Sequence, residues 1–334
     1  MAYCGMRLPE VGADLGGMLM MSEKIELSVV SENSGKRLDK WLTDELDDLS
    51  RVRVQALLKS GAICFNNGSP VKANIKTTEG MKLTVEVPDA EPVEIVAEDI
   101  PLDVLFEDSD IIVVNKPAGL VVHPAPGHPA GTLVNALLFH CDDLGGVSGE
   151  LRPGIVHRLD RDTSGVMVAA KCQAAMDSLS LQFSERKVEK EYVTIVHGIP
   201  HPLVGRIETE IGRSNHDRKR MSAKPSRGRN AITNYRVTEV LGDFSYMRVV
   251  IETGRTHQIR VHMAHIGNHV VGDCVYGKRG GNTVLPIHVG RQMLHAAKLT
   301  ITHPSTGERM TFQAPLASDF AALLAALRTG KNSR

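Results

Sequence analysis

The sequence predicts an α+β fold, a large domain on a mostly antiparallel, mixed central sheet preceded by a small αβ unit. Three observations predict it. From Leu105 onward, short β-branched runs recur between turns, at 111–114, 119–122, 166–169, 192–196, 231–237, 246–251 and 298–301. Helical spacing is rarer there, at 133–140, 174–186, 258–266 and 319–327, and it does not alternate with strands as a doubly wound sheet requires. Between 89 and 104 the composition turns acidic and proline-containing (Asp89, Glu91, Pro92, Glu94, Glu98, Asp99, Pro101), which predicts a solvated linker joining two independently folded parts.

In chain order, residues 1–22 carry Arg7 followed by acidic residues and glycines. They lack the basic and apolar regions of a signal peptide and are expected to be a disordered leader, or an over-extended start before Met18, Met20 and Met21. Residues 23–88 form the small unit. Leu38, Trp41, Leu42 and Leu46 keep helical spacing. Ser50 is placed to cap a second helix bearing Val54, Leu57 and Leu58, which Gly61 ends. A strand at 62–65 runs into the turn Asn66-Asn67-Gly68, and another at 82–87 stops at Pro88. Residues 105–330 form the large domain.

The chain of 334 residues is 42% apolar, ample for a core, and only 4% aromatic, which argues against a surface of stacked aromatic side chains. Its zero net charge conceals an asymmetry: residues 1–150 hold 24 acidic against 12 basic side chains, and residues 151–334 hold 15 against 27. A basic half points to a polyanion, most often nucleic acid; charge alone is equally compatible with a solvated basic face. The five cysteines (4, 64, 141, 172 and 274) are scattered with no CxxC. That argues against a disulfide framework or a zinc site and for a reducing cytoplasm. No apolar run has the length of a membrane span.

The segment His157-Arg158-Leu159-Asp160-Arg161-Asp162-Thr163-Ser164-Gly165 sets Arg158, Asp160 and Arg161 between the apolar runs at 154–156 and 166–170. Charged side chains are seldom buried unpaired, so this is a candidate site; the plain alternative is a hairpin loop with a structural ion pair. Three further segments stand beside it. Residues 113–124 join a strand to a Pro117-Ala118-Gly119 turn with Lys116 and His123 at its ends. Tyr192 enters a strand after Lys190-Glu191. In 252–262, Thr256 is placed to cap a helix carrying Gln258, Ile259, Arg260 and His262. Residues 271–277 and 291–296 follow. A basic stretch, Arg213, Arg218, Lys219, Arg220, Lys224, Arg227 and Arg229, lies among Ser, Asn, Asp, Pro and Gly. It reads as a mobile loop suited to phosphate contacts.

Together these motifs resemble the RluA-type pseudouridine synthases, in order from about 105 to 315. The His-Arg-Leu-Asp-x-Asp-Thr-Ser-Gly and Gly-Arg-Thr-His-Gln-Ile-Arg signatures are the specific part. The small unit resembles an S4-type RNA-binding domain through Arg37-Leu38-Asp39, Ser50-Arg51, Leu57-Leu58-Lys59-Ser60-Gly61 and Asn67-Gly68. This pairing is similar to the large-subunit ribosomal RNA pseudouridine synthase D branch. The resemblance implies a pseudouridine synthase fold and isomerisation of chosen uridines in large-subunit ribosomal RNA. It implies Asp160 as the essential carboxylate, Arg260 as its partner, Tyr192 against the target base, and Arg158 entering the RNA where the base has left. Arg37, Arg51, Lys59, Arg213, Arg218 and Arg220 are the candidate RNA contacts; Lys116, His123 and His262 read as local structure. The reaction calls for no metal and no cofactor. The partner is ribosomal RNA or an assembling large subunit, not a membrane, and the chain is expected to act as a monomer. A non-catalytic assembly factor on the same fold is the alternative. A glycoside hydrolase is disfavoured because these signatures offer no second carboxyl group to protonate a leaving group.

Overall fold

The structure is a computed structural model, and it describes residues 23–46, 51–87, 95–124, 128–141, 144, 153–214, 217, 220–277 and 285–331. Backbone contacts divide the chain into two compact units, Met1–Val93 and Glu94–Arg334. The expected leader and the Ser50 cap lie outside the described residues.

In the first unit, β1 (Glu23–Ser28), β3 (Lys82–Val87) and β2 (Ile63–Phe65) form an antiparallel sheet in that order. It is accompanied by α1 (Leu38–Glu45) and α2 (Arg51–Ser60). Trp41, Leu42, Val54, Leu57, Ile63, Leu83 and Val85 are buried together, as the helical and alternating spacings require. Gly61 closes α2 with φ +82°, a left-handed position that glycine adopts without steric cost.

The second unit contains, among the described residues, a ten-stranded sheet. In chain order its elements are β4 (Val104–Glu107), β5 (Ile111–Lys116), α3 (Leu133–His140), β6 (Ser164–Ala170), α4 (Gln173–Ser184) and β7 (Glu189–His197). Then come β8 (Val204–Arg213), β9 (Met221–Ser222), β10 (Arg229–Leu241), β11 (Phe244–Ile251) and α5 (Gln258–His265). The unit ends with β12 (Leu294–Thr302), β13 (Arg309–Gln313) and α6 (Ser318–Lys331). The strand order is β4-β5-β6-β12-β7-β11-β10-β8-β9, with β13 on β12. Only the short β6–β12 contact is parallel, so the sheet is mixed and mostly antiparallel. Every residue of β6 is buried. Along β7, Tyr192 and Val196 join one core, while Val193 and Ile195 join a second with Phe320, Leu323 and Leu324 of α6. A sheet covered on both faces explains why its strands read as continuous apolar runs.

Two local expectations are corrected. Residues 119–122 form no strand; Val121 makes an isolated bridge to Thr132. Residues 154–156 likewise contribute only a bridge from Ile155 to Ala169. Within the acidic stretch expected as a linker, 88–94 lie outside the described residues. Residues 95–103 lie against the large unit: Ile95 and Leu102 touch its core, and Asn135 Nδ2 donates to the Val96 carbonyl at 2.7 Å.

Candidate active site

The Asp160 loop feeds into β6 at the middle of the sheet, and each turn of it is fastened. Thr163 N donates to the Asp160 carbonyl at 3.0 Å, a tight turn that presents the Asp160 side chain. Gly165, at φ +118°, lies against β12; a Cβ there would sit 2.2 Å from the Ala296 carbonyl oxygen, so only glycine lets the loop enter the sheet. The register sets Gly165 opposite Lys116 on one side and Ala296 on the other, with Tyr192 opposite Ala296. Tyr192 is thus brought to the rung on which the loop ends.

Lys116 is buried, and its Nζ donates to the carbonyls of Pro117 (2.7 Å), Leu120 (2.9 Å) and Arg161 (3.0 Å). Burial pulls its pKa down to about 7, yet three carbonyls match the three N–H groups of the ammonium form. It pins the loop's backbone, the local role that the sequence predicts. His157 stacks on Phe183 (4.7 Å between ring centres) and accepts the Val168 N–H at Nε2; burial lowers its pKa to about 3, so it stays neutral. Arg291 reaches the loop from the opposite side. It donates to the Asp162 carbonyl (3.0 Å) and Ser164 Oγ (3.3 Å) while paired with Asp319 at the start of α6.

Arg260 Nη1 donates to Asp160 Oδ2 at 3.0 Å. The other edge of the same guanidinium makes a fork with Asp273, Nε to Oδ2 at 2.7 Å and Nη2 to Oδ1 at 3.0 Å. Asp273 Oδ1 also accepts the N–H groups of Val275 and Tyr276, which fixes the fork to a backbone turn. Burial disfavours the charge on Arg260, but Asp273 and Asp160 more than offset it and its pKa is raised. Burial likewise raises the pKa of Asp273, and the guanidinium and backbone N–H groups override it, leaving a carboxylate. Tyr192 is buried against this cleft; burial, then the Asp160 charge, raises its pKa, so it is a neutral phenol at the cleft wall.

The cleft is lined by Arg158, Asp160, Tyr192, His257 and Arg260, with Ile251 and Leu294 as apolar walls. Arg158 is exposed at it. Thr256 does not cap α5: the N-cap residue is His257 at φ +56°, and the Gln258 side chain accepts the Arg255 N–H at 3.0 Å instead. His262 is buried between Thr209 and Thr233, a structural residue, and His123 is buried as well. Arg213 at the end of β8 and Arg220 before β9 are exposed, and the Arg220 guanidinium lies 5.3 Å from the centre of the Tyr276 ring. Arg218 lies outside the described residues, as does the side chain of Arg51 at the start of α2. In the first unit, Lys59 is exposed, and Arg37 is exposed with one face on Asp39. Metal-ligating types meet at Asp108, Asp110 and His303, but His303 Nδ1 accepts the Thr306 N–H and Nε2 donates to Asp108, which leaves the ring no lone pair for an ion. Among the described residues, no helix is long and apolar enough to cross a membrane.

The profile of the family described as RNA pseudouridylate synthase matches residues 110–265, which include the Asp160 loop, Tyr192 and Arg260. An RNA pseudouridine synthase of Bacillus subtilis (strain 168), itself uncharacterised, is 45% identical over 305 residues, covering 91% of this chain and 98% of the relative. This chain belongs to the RNA pseudouridine synthase family. The ribosomal large subunit pseudouridine synthase D of Neisseria meningitidis serogroup A is 43% identical over 323 residues, covering 95% of this chain and 85% of the relative. Among solved structures, human RNA pseudouridylate synthase domain containing 4 superposes with a TM-score of 0.55 at 25% identity, over 67% of this chain and 92% of the other.

In this pseudouridine synthase chain the sequence gives no role to Asp273, Tyr276, Arg291 or His257. The available signal for Asp273 was a carboxylate set after the apolar pair Val270-Val271, the same anomaly that singles out Asp160. Its partner lies thirteen residues away and is set by a turn, which spacing alone does not reveal.

Proposed function

We propose that this chain converts uridines of large-subunit ribosomal RNA to pseudouridine, with Asp160 as the essential catalytic carboxylate. One observation carries the reading: Asp160 is held at one oxygen by Arg260, which a second carboxylate locks in place, beside a neutral tyrosine in a cleft bordered by exposed arginine. Breaking the N1–C1′ bond develops positive charge on the ribose, and an ionised, oriented carboxylate meets it as nucleophile or base. Arg260 orients it by a charge-assisted hydrogen bond. Tyr192, with its raised pKa, suits contact with the flat face of the base better than proton abstraction.

A stacked uridine has to leave the helix to reach this cleft. Arg158 is exposed at its mouth, and a guanidinium plane can take the vacated place in the stack. Arg213, Arg220 and the S4-like first unit with Arg37 and Lys59 would supply phosphate contacts. The ribosomal target is supported by the 43% identity to a ribosomal large subunit synthase. The reading places the chain on RNA in the cytoplasm, as a monomer, with no cofactor.

Asp160→Asn tests it. The substitution removes the charge with little change of shape, so fold and RNA binding are retained while pseudouridine formation drops below detection. Carbodiimide mapping of ribosomal and transfer RNA from cells lacking the gene should show lost sites in large-subunit RNA that the wild-type gene restores and the variant does not. Near-wild-type turnover by the variant overturns the role of Asp160. An unchanged map points to an assembly factor instead.

A further inference from the structure

His257 has no task in the reading so far, yet it lines the cleft in an unusual backbone geometry. It is a non-glycine residue held at φ +56°, a conformation that costs energy and places the ring over the site. Its side chain is 23% exposed and lines the cleft. Nε2 is 3.9 Å from Asp160 Oδ1, the oxygen opposite the one that Arg260 holds. On its other edge, Nδ1 is 2.8 Å from Tyr276 Oη.

The tautomer follows from Tyr276. Its hydroxyl accepts the Met221 N–H at 2.9 Å, and among the described residues His257 Nδ1 is the one acceptor its own proton reaches, at 2.8 Å, so that proton is assigned to Nδ1. Nδ1 is therefore the acceptor, and the imidazole proton resides on Nε2, facing Asp160 and the cleft. Burial, aided by the charges of Arg260 and Arg158 and opposed by Asp160 and Asp273, lowers the pKa of His257 and keeps the ring neutral. A neutral imidazole N–H can hydrogen-bond to a developing oxyanion without surrendering its proton.

We propose that His257 is a catalytic residue whose Nε2–H donates a hydrogen bond to uracil O2 as the N1–C1′ bond breaks, and that Tyr276 is the positioning residue that fixes this tautomer. The proposal rests on the reading of Asp160 as the group that addresses the ribose. When the N1–C1′ bond breaks, its electron pair passes to uracil and spreads over N1, O2 and O4. O2 is the carbonyl next to the breaking bond, and a donor 3.9 Å from the carboxylate addressing C1′ lies on that side. His257 keeps its proton throughout. The pair then returns to C1′ from C5 as the C5–C1′ bond forms, C5 loses its proton and N1 gains one, so the isomerisation balances.

The experiment is a single-turnover assay on target RNA carrying uridine or 2-thiouridine at the modified position, since sulfur accepts hydrogen bonds poorly. His257→Ala should react about 10²-fold more slowly than wild type, the loss expected for one oxyanion donor, with RNA affinity unchanged. The ratio of the oxygen to the sulfur rate should be roughly tenfold larger in wild type than in His257→Ala, because only wild type has a donor to lose; a cycle of this kind isolates the pair. Tyr276→Phe should shrink the ratio in the same direction, and nitrogen-15 spectra of labelled histidine should show His257 leaving the Nε2–H tautomer. His257→Gln, which keeps an N–H donor, should recover part of the rate. Equal ratios in wild type and His257→Ala overturn the proposal, as does a tautomer unmoved by Tyr276→Phe. Asp160→Asn in the same assay separates the two readings. If it turns over normally, the reading of Asp160 fails; if it is inactive while the ratios are equal, only the role of His257 fails.

Discussion

Two arginine–carboxylate contacts in this chain use the same residue types in opposite senses. In the first unit, Arg37 donates to both oxygens of Asp39 at 3.1 and 3.3 Å; its side chain is 56% exposed and that of Asp39 is fully buried. Gln55 holds Asp39 from behind at 3.1 Å. In the second unit the arginine is the buried partner: Arg260 is 5% exposed, clamped by Asp273 at 1%, while Asp160 keeps 18% of its side chain open. In each contact the better-exposed member is the one free to meet a ligand. At Arg37 that member is a cation, suited to a phosphate; at Asp160 it is an anion, suited to a ribose carbon. Residue type names the interaction, and burial decides which end of it does the work.

The comparison breaks most sharply at Asp273. Asp273→Asn keeps an oxygen for the N–H groups of Val275 and Tyr276 but turns an amide N–H toward Arg260 Nε, donor against donor. Turnover should fall about 10²-fold, with RNA affinity within twofold, because Arg260 loses the clamp that aims it at Asp160. A rate within twofold of wild type would show that Arg260 is held well enough by packing alone.

Lys116→Met comes next. It takes the buried donor from the carbonyls of Pro117 and Leu120 and leaves the Arg161 carbonyl with the Gly119 N–H alone. A stability loss of about 3 kcal/mol is expected in urea unfolding, with a smaller fall in turnover than Asp273→Asn produces. Unchanged stability would mean that other groups satisfy those carbonyls.

Two histidines of the second unit also carry a pH signature. Burial holds His157 and His262 neutral, with pKa values near 3 and near 4 in the folded chain. Unfolded, each titrates near 6.5, so below that pH the unfolded chain takes up protons that the fold refuses. Stability is therefore full above about pH 6.5 and falls as pH drops toward 4, by roughly 1 kcal/mol per unit for each histidine. Urea midpoints at pH 7.5, 6.5, 5.5 and 4.5 should show this slope, and His157→Gln should flatten it; a level wild-type profile down to pH 5 contradicts it. The smallest effect is expected at Arg37→Ala. The guanidinium is exposed, but it partners a fully buried carboxylate that Gln55 also holds, so a small loss of stability is expected in unfolding. RNA affinity should fall a few-fold, and its salt slope should drop by about one. An unchanged RNA affinity and salt slope would show that Arg37 serves Asp39 instead of RNA.

Strand and helix positions were largely legible because the sheet is covered on both faces: 111–114, 166–169 and 192–196 read as apolar runs and lie inside β5, β6 and β7. Residues 119–122 were misread for the same reason, since Val122 is buried in a loop that pairs with no strand. β8 carries many polar residues and β9 has only two residues, so neither stands out, and the N-cap of α5 is His257 rather than Thr256.

By itself the sequence determined the α+β class, the anomalous carboxylate at Asp160 and the basic character of the second half. These follow from residue type and near-neighbour pattern, which local chemistry expresses directly. Only the tertiary structure decided that Asp273 is the clamp on Arg260, that Arg291 braces the loop while paired with Asp319 of α6, and that His257 stands between Tyr276 and Asp160. Those contacts join residues from 13 to 129 positions apart, or fix which nitrogen of a ring bears a proton. Such facts depend on where the chain returns in space, and no spacing along it records them.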